Sequence, residues 1–201
     1  MSTATLHRLT ADEYLALERT AESKSEVFDG EMIPMSGGSS EHSVIAVNLL
    51  SEFRRATRNL GCRVHNSDMR VRTPSGLYTY PDVSLSGDQP QFEPGRRDIL
   101  LNPVLIAEVL SPSTEAYDRG GKFARYRSIE SLQTYLLVSQ ERPLVEVFTR
   151  LRNGDWSLRA FERGSIEFFH PPCELEIAEV YYQVDFSLSE HTPEPEDPRD
   201  R

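Results

Sequence analysis

Cysteine is scarce in this sequence, and so are long apolar runs. Its 201 residues include two cysteines, Cys62 and Cys173, which cannot build a disulfide framework and whose neighbours lack metal-ligand spacing. We interpret both as reduced thiols. No apolar run approaches the ~20 residues that a membrane span needs, and residues 1–10 lack the basic, apolar and small-residue order of a secretory signal. The sequence therefore predicts a cytoplasmic protein with no membrane segment.

Several common catalytic motifs are also missing. The sequence contains no phosphate-binding P-loop, no Gly-x-Ser-x-Gly nucleophile elbow and no His-Glu-x-x-His zinc motif. The pairs Gly37-Gly38 and Gly120-Gly121 indicate flexible connections and nothing more specific. No other catalytic chemistry therefore competes strongly with the carboxylates described below.

Positive charge is in deficit overall, with a net charge of -10. This argues against a dedicated nucleic-acid coat protein, whose basic surface supplies its affinity. Acidic residues are concentrated in a proline-rich tail, which predicts disorder over residues 187–201 beside one domain over residues 1–186. The tail carries Glu190, Glu194, Glu196, Asp197 and Asp200 together with Pro193, Pro195 and Pro198.

One short stretch is basic instead. It holds six arginines opposed by Asp68 alone: Arg54, Arg55, Arg58, Arg63, Arg70 and Arg72. A local basic surface that contacts backbone phosphates is one interpretation. The other is a solvated helix face that runs into an exposed strand.

Hydrophobic periodicity and turn residues predict an α/β domain with a mixed β-sheet flanked by helices. Val104–Leu110 is the most apolar run and predicts a strand buried on both faces. The strand–helix–strand order around it predicts a crossover connection. Helices are expected after Thr10 and over 41–59 and 118–129, strands over 25–35 (turning at Asp29-Gly30), 62–73, 80–86, 134–139, 144–151 and 156–161, a loop over 89–97, and a last short element over 174–182.

Glu108 is the most informative residue, because it interrupts that apolar strand. An ionised carboxylate buried there costs several kcal/mol unless it is paired or bound to a cation. Asp82 opens another strand after Tyr80-Pro81, where a carboxylate can point to the sheet end. Two hard oxygen ligands on neighbouring strands suit Mg²⁺ or Mn²⁺. The alternatives are a structural ion pair or a water-facing edge position for Glu108, and a turn residue for Asp82.

The helix after this strand offers a cation. A helical wheel places Lys122 and Arg119 on the side of Phe123, Tyr126 and Ile129, which faces the sheet. Lys122 can therefore reach the Asp82/Glu108 site, where it would stabilise charge on a phosphate, and Arg119 is a possible cleft residue. The alternative for Lys122 is a surface lysine whose stem lies on apolar surface. His42 shares an apolar helix face and is expected to be a core or cleft histidine.

These residues resemble the Uma-type endonuclease family of the PD-(D/E)XK, or restriction-endonuclease-like, superfamily. The likeness runs from about Leu9 to Phe186, and the stretch from Glu108 to Thr114 is its most specific part. It rests on Tyr80-Pro81-Asp82-Val83, on Ile106-Ala107-Glu108-Val109-Leu110-Ser111-Pro112-Ser113-Thr114, on Asp118, Lys122 and Tyr126, on Glu26-Val27-Phe28-Asp29-Gly30-Glu31, and on His42.

The resemblance implies a mainly four-stranded mixed sheet between helices and Mg²⁺-dependent hydrolysis of phosphodiester bonds. By position, Asp82 and Glu108 correspond to the metal-binding acids, the carbonyl of Val109 to a backbone ligand, and Glu26 to an additional acid. The superfamily's usual lysine position holds Leu110 here, and Lys122 from the helix is the natural replacement.

The sequence thus predicts a Mg²⁺-dependent endonuclease acting on DNA, with Mn²⁺ as a second possible ion and a homodimer as the expected assembly. The catalytic residues would be Asp82, Glu108, Lys122 and Glu26. The alternative function is a non-catalytic module that binds nucleic acid or protein on a degenerate nuclease fold. A glycosidase with paired carboxylates is a distant third, because no aromatic-rich sugar platform lies near these acids.

Overall fold

The computed structural model describes residues 8–35 and 37–186. They form two six-stranded sheets, a two-stranded hairpin, five α-helices and one π-helical turn. The fold class predicted from the sequence, a mixed α/β fold, is confirmed. The predicted acidic tail lies outside the described residues.

The first sheet gathers short strands from the first half of the chain. Its strands, in spatial order, are β2 (Glu31–Pro34), β1 (Ser25–Phe28), β5 (Tyr78–Thr79), β4 (Arg70–Arg72), β8 (Arg96–Leu100) and β7 (Phe92–Glu93). Strands β1 and β2 turn at Asp29-Gly30, as expected, and both residues have positive φ angles of 51° and 76°. This hairpin places Glu26 in the middle of the molecule.

The second sheet is the larger scaffold. In spatial order it contains β12 (Trp156–Phe161), β11 (Val145–Arg150), β10 (Thr134–Ser139), β9 (Pro103–Leu110), β6 (Val83–Ser86) and β3 (Arg63–Asn66). Strands β9 and β10 run parallel, which confirms the predicted crossover, and the other neighbours are antiparallel. Strand β9 is central and is buried on both faces as its apolar sequence requires.

Helices cover both faces of this sheet. Helix α1 (Ala11–Glu18) packs on the first sheet instead and begins with the predicted capping box between Thr10 and Glu13. Helix α2 (Ser40–Ala56) buries Ile45, Leu49 and Phe53 against one face. The opposite face is covered by a continuous helical segment made of α3 (Glu115–Tyr117), a π-helical turn (Asp118–Lys122) and α4 (Phe123–Tyr126). None of the helices in the described part of the chain is long and apolar enough to cross a bilayer.

Three expectations about the strands were wrong. The expected strand over 62–73 breaks at residues 67–69 into β3 and β4, which belong to different sheets. The segment expected to be a loop at 89–97 contains β7 and the start of β8, because backbone pairing overrides its Pro, Gly and charged composition. The core sheet also has six strands and not four.

The C-terminal part of the described chain forms a separate small sheet. Strands β13 (Ser165–Phe169) and β14 (Pro172–Glu176) make a hairpin, and α5 (Ile177–Val180) follows it directly. Only the second half of this unit was expected from the sequence. Its apolar residues, including Ile166, Phe168 and Leu175, extend the core beneath α2.

Candidate active site

Asp82 and Glu108 meet because β6 and β9 are antiparallel neighbours. Val83 pairs with Ala107, so Asp82, one residue earlier, lies beside Glu108. Two reciprocal hydrogen bonds join them: the amide of Val109 donates to Asp82 Oδ2 at 2.8 Å, and the amide of Asp82 donates to Glu108 Oε2 at 3.4 Å. The register of the sheet therefore fixes the two carboxylates next to each other.

Glu108 is nearly inaccessible, with 3% of its surface exposed. Burial raises the pKa of its carboxyl to about 8; the charge of Lys122 opposes this rise, and the charges of Asp118, Asp82 and Glu26 add to it. A carboxyl in this setting gains from a nearby cation that can stabilise its ionised form.

Lys122 reaches the same place from the π-helical turn and is also buried. Its ammonium is within 3.3 Å of three carboxylate oxygens: 3.0 Å from Glu26 Oε1, 3.1 Å from Glu108 Oε1 and 3.3 Å from Asp118 Oδ1. Burial lowers the pKa of Lys122, but these three charges outweigh it and raise the pKa well above its usual value. The lysine is therefore held in its charged form.

Glu26 reaches the lysine from the first sheet. It lies on β1, is 4% exposed, and accepts a short hydrogen bond from the hydroxyl of Thr79 on β5. Its carboxylate contacts the Lys122 ammonium. The structure thus brings together the four groups on which the sequence interpretation depended.

Two residues in this cluster were missed as site candidates. Asp118 lies four residues before Lys122 and contacts its ammonium. Burial raises the pKa of Asp118, and the charge of Lys122 lowers it by less, so the pKa stays raised. Tyr126 donates its hydroxyl to Glu108 Oε1 at 2.8 Å. Spacing of four residues on a helix would have been the signal for Asp118, whereas the hydrophobic pattern placed Tyr126 on the apolar face of the helix. The family resemblance included both residues without giving either a role.

His42 lies on the other side of Asp82, in the first turn of α2. Its Nε2 is 3.3 Å from Asp82 Oδ2, and the ring also hydrogen-bonds the carbonyl of Val109. Burial lowers the pKa of His42, but the hydrogen bond and charge of Asp82 and the Val109 carbonyl outweigh it, so the pKa is raised from 6.5. Gly38 packs on the ring so closely that a Cβ there would lie 2.8 Å from Nδ1.

Arg119 is placed elsewhere. Its guanidinium pairs with Glu115 at 2.7 Å and with Glu146 on β11, and it is not among the residues that line the cleft. The helical wheel put it on the sheet side correctly, but the π-helical turn changes the angle between Arg119 and Lys122. The two cations therefore separate.

These groups line a narrow cleft of about 150 Å³. The acids, Lys122 and His42 line it together with Tyr80 and Tyr117. The end of β2 and the residue after it supply an apolar wall of Ile33, Pro34 and Met35. Polar groups thus converge at the base of a partly apolar pocket, which is the common form of a ligand site.

The donor set of the cleft fits a hard divalent cation. Oδ2 of Asp82 accepts from the Val109 amide, and Oε1 of Glu108 accepts from Tyr126 and contacts Lys122, whereas Glu108 Oε2 accepts the longer 3.4 Å bond from the Asp82 amide. Asp82 Oδ1 and Glu108 Oε2 are therefore the carboxylate oxygens assigned to a metal ion. Mg²⁺ takes few protein oxygens and keeps several waters. The carboxyl groups of Asp82, Glu108, Glu26 and Asp118 also outnumber the single ammonium of Lys122. Within residues 8–35 and 37–186, no set of three or more His, Cys, Asp and Glu side chains is spaced to hold a metal ion as it stands.

Known proteins resemble the chain along most of its length. An uncharacterized protein of Synechocystis, slr1290, is 40% identical over 156 residues, which cover 77% of this chain and 81% of the relative. A second uncharacterized Synechocystis protein, sll1609, is 38% identical over 171 residues, which cover 84% of this chain and 97% of the relative. Neither description states an activity.

A solved structure shares the fold. It is described as a putative nuclease belonging to DUF820 from Anabaena variabilis, and it superposes with a TM-score of 0.70 over 89% of this chain and 98% of that one, at 21% identity. This likeness shows that the two chains share the same mixed α/β fold. The sequence profile described as "Uma2: Putative restriction endonuclease" matches residues 11–178, and the chain therefore belongs to the Uma2 family.

Proposed function

We propose that this protein is a Mg²⁺-dependent endonuclease that hydrolyses phosphodiester bonds of DNA, with Mn²⁺ as a working substitute. The convergence of Asp82, Glu108, Glu26 and Lys122 in one cleft carries the proposal. Membership of a family described as restriction endonucleases supports a nucleic-acid substrate.

Asp82, Glu108 and the carbonyl of Val109 would hold the metal ion. When bound, such an ion would lower the pKa of a coordinated water and polarise a phosphate oxygen. The protein's own contribution is orientation: the Val109 amide and His42 fix Asp82, whereas Tyr126 and Lys122 fix Glu108. Groups held in this way lose little freedom when a substrate arrives.

Lys122 remains charged in the cleft and offsets negative charge near a bound phosphate. Glu26 and Asp118 keep that ammonium in place. His42 lines the cleft beside Asp82 and positions its carboxylate. Water is restricted on one side by the apolar wall of Ile33, Pro34 and Met35.

Part of the basic stretch supports a contact with DNA. Arg55, Arg70 and Arg72 are committed to Glu52, Asp98 and Glu93. The remaining three, Arg54, Arg58 and Arg63, are exposed and line a surface hollow of about 270 Å³. Arg54 lies twelve residues after His42 on α2, which is about 18 Å along a helix axis. A DNA strand spanning that distance would present about five phosphates.

Cleavage of supercoiled plasmid tests the proposal. Mg²⁺ is expected to produce nicked and linear DNA, EDTA to prevent it, and Glu108→Ala and Asp82→Asn to lower the rate by at least ~100-fold. Glu146→Gln is the matched control, since Glu146 is a half-buried strand carboxylate outside the cleft. Equal cleavage by wild type and Glu108→Ala would sink the proposal, and metal-dependent DNA binding without cleavage would favour a non-catalytic module.

A homodimer would place two such clefts on the two strands of a duplex. This assembly and a cytoplasmic location stay predictions. Light scattering coupled to gel filtration measures the mass directly, and a monomer of 22.9 kDa would contradict the dimer.

A further inference from the structure

Lys122 occupies a position that carboxylates would otherwise offer to a second metal ion. Its three partners come from separate elements: Glu26 from β1, Glu108 from β9 and Asp118 from the π-helical turn. All three are nearly inaccessible, with exposed fractions of 3–4%. Such a cage of buried carboxylates is stable only around positive charge.

The ammonium and a divalent ion exclude each other there. The three oxygens lie 3.0–3.3 Å from Nζ, whereas Mg²⁺ would need oxygens at about 2.0–2.1 Å and would repel a cation in the same space. While Lys122 stays in place, the carboxylates of Glu26 and Asp118 therefore bind its ammonium and cannot bind a metal ion.

The two carboxylate oxygens of Glu108 face two different cation positions. Oε1 receives Lys122 at 3.1 Å and Tyr126 at 2.8 Å, and Oε2 lies on the side of Asp82, whose amide is 3.4 Å away. One carboxylate thus separates two cation positions, one filled by the lysine and one beside Asp82.

We propose that the Lys122 ammonium is the permanent second cation of this centre, so that each chain binds one divalent ion. Glu26 and Asp118 are positioning residues for the lysine and not metal ligands. This inference rests on the proposed metal-dependent function and deepens it by fixing the number of ions and the part played by each acid.

Removal of the lysine charge should then open the second position. Lys122→Met keeps the apolar stem and leaves three carboxylates without their cation. Such a site, built from Glu26, Glu108 and Asp118, has the hard oxygen ligands that divalent ions prefer. Replacing Glu26 by Gln in the same chain removes a ligand and should close the site again.

The number of bound Mn²⁺ ions, measured by calorimetry and by electron paramagnetic resonance with MnCl₂ alone, tests the proposal. We expect one ion for wild type, two for Lys122→Met and one for Lys122→Met/Glu26→Gln. Lys24→Met is the matched control, because Lys24 and Lys122 are the only lysines in the sequence and Lys24 pairs with Asp68 at the surface. It should keep one ion.

Two ions in the wild type, or one ion in a folded Lys122→Met, would overturn the proposal while leaving the nuclease function standing. No bound ion in the wild type would overturn both. If Lys122→Met does not fold, Glu26→Gln in the wild-type chain decides: one ion with a Kd within about 3-fold supports the positioning role, and a loss of more than 10-fold in affinity makes Glu26 a ligand and refutes it.

Discussion

The imidazole of His42 and the carboxylate of Asp82 form a half-buried pair, with 3.3 Å between Nε2 and Oδ2. The same ring bonds the carbonyl of Val109, whose amide bonds the same carboxylate oxygen. His42 therefore touches two of the three groups assigned to the metal ion. Its protonation state reports on both.

Asp82→Asn should lower the pKa of His42. The carboxylate and its hydrogen bond are the main contributions that raise this pKa against burial, so a neutral amide leaves burial dominant. An NMR titration of the histidine ring signals measures the change. His65 on β3 is the internal control, because its lowered pKa comes from burial and then from Arg63. An unchanged His42 would show that the pair does not form in solution.

Metal affinity should rise with pH up to about 8. The raised pKa of Glu108 means that the metal-free carboxyl holds a proton at neutral pH, and an incoming cation must displace it. Calorimetry at pH 7 in buffers of different ionisation enthalpy should therefore show about one proton released per ion. Below pH 8 the affinity should fall up to ~10-fold per pH unit. A pH-independent affinity between pH 6 and pH 8 would contradict the raised pKa.

Without metal, Glu108→Gln should become more stable than wild type as pH rises. A carboxyl whose pKa is raised on folding stabilises the native state below about 4.5, and this contribution is lost as pH rises through 8. The neutral amide pays no such cost. Urea unfolding in EDTA at pH 5 and pH 8.5 should show the variant gaining ~1–3 kcal/mol relative to wild type between the two. A difference that shrinks with pH would refute the assignment.

Tyr126→Phe should weaken metal binding as well as stability. Its hydroxyl is fully buried and fixes Glu108 Oε1, so its loss should cost ~1–2 kcal/mol of unfolding free energy and about 10-fold or more in Mn²⁺ affinity. Tyr181→Phe is the control, because that buried hydroxyl bonds the Leu144 carbonyl at 2.7 Å away from the cleft. It should lose stability and keep the metal affinity. Equal metal affinities for the two variants would deny Tyr126 its positioning role.

Replacement of Arg54, Arg58 and Arg63 by Gln should weaken DNA binding and make it less sensitive to salt. Each lost phosphate contact reduces the magnitude of the slope of log affinity against log salt by about 0.9. The slope of the triple variant should therefore be smaller in magnitude than that of the wild type by up to ~2.7. Fluorescence anisotropy of a labelled duplex measures this slope. A matched triple variant at the exposed Arg152, Arg159 and Arg163 should bind like wild type. The reverse result would place DNA on the β11–β12 side.

The scaffold of the site could be predicted from local patterns. The apolar run Val104–Leu110 predicted strand β9, and Glu108 was singled out because a buried charge in that run is costly. Lys122 followed from a helical wheel. These inferences needed only neighbours along the chain, whereas the roles of Val109 and Glu26 came from the family resemblance.

What could not be predicted depends on contacts between distant segments. Asp118 looks like any charged residue at a helix start until the π-helical turn and β9 bring it to Lys122. The hydrophobic periodicity of the helix counts Tyr126 as an apolar residue, although its hydroxyl donates to the carboxylate of Glu108, eighteen residues earlier in the chain. Strands β7 and β8 lack strand-like composition at their start and form because β4 and the β7–β8 turn provide partners.

The π-helical turn at Asp118–Lys122 makes this segment tolerant of the loss of one residue. A π-helical turn holds one residue more than an α-helical turn, and deleting Gly120 would let the segment relax into regular α-helix. The loss of that extra residue would keep the flanking residues close to their present faces, because Asp118 and Lys122 would then be three residues apart on an α-helix, a spacing at which side chains remain neighbours. A single-residue gap here in a related sequence would therefore be compatible with an intact cage, whereas the same gap in the regular helix α2 would rotate the residues on its two sides by about 100° relative to each other.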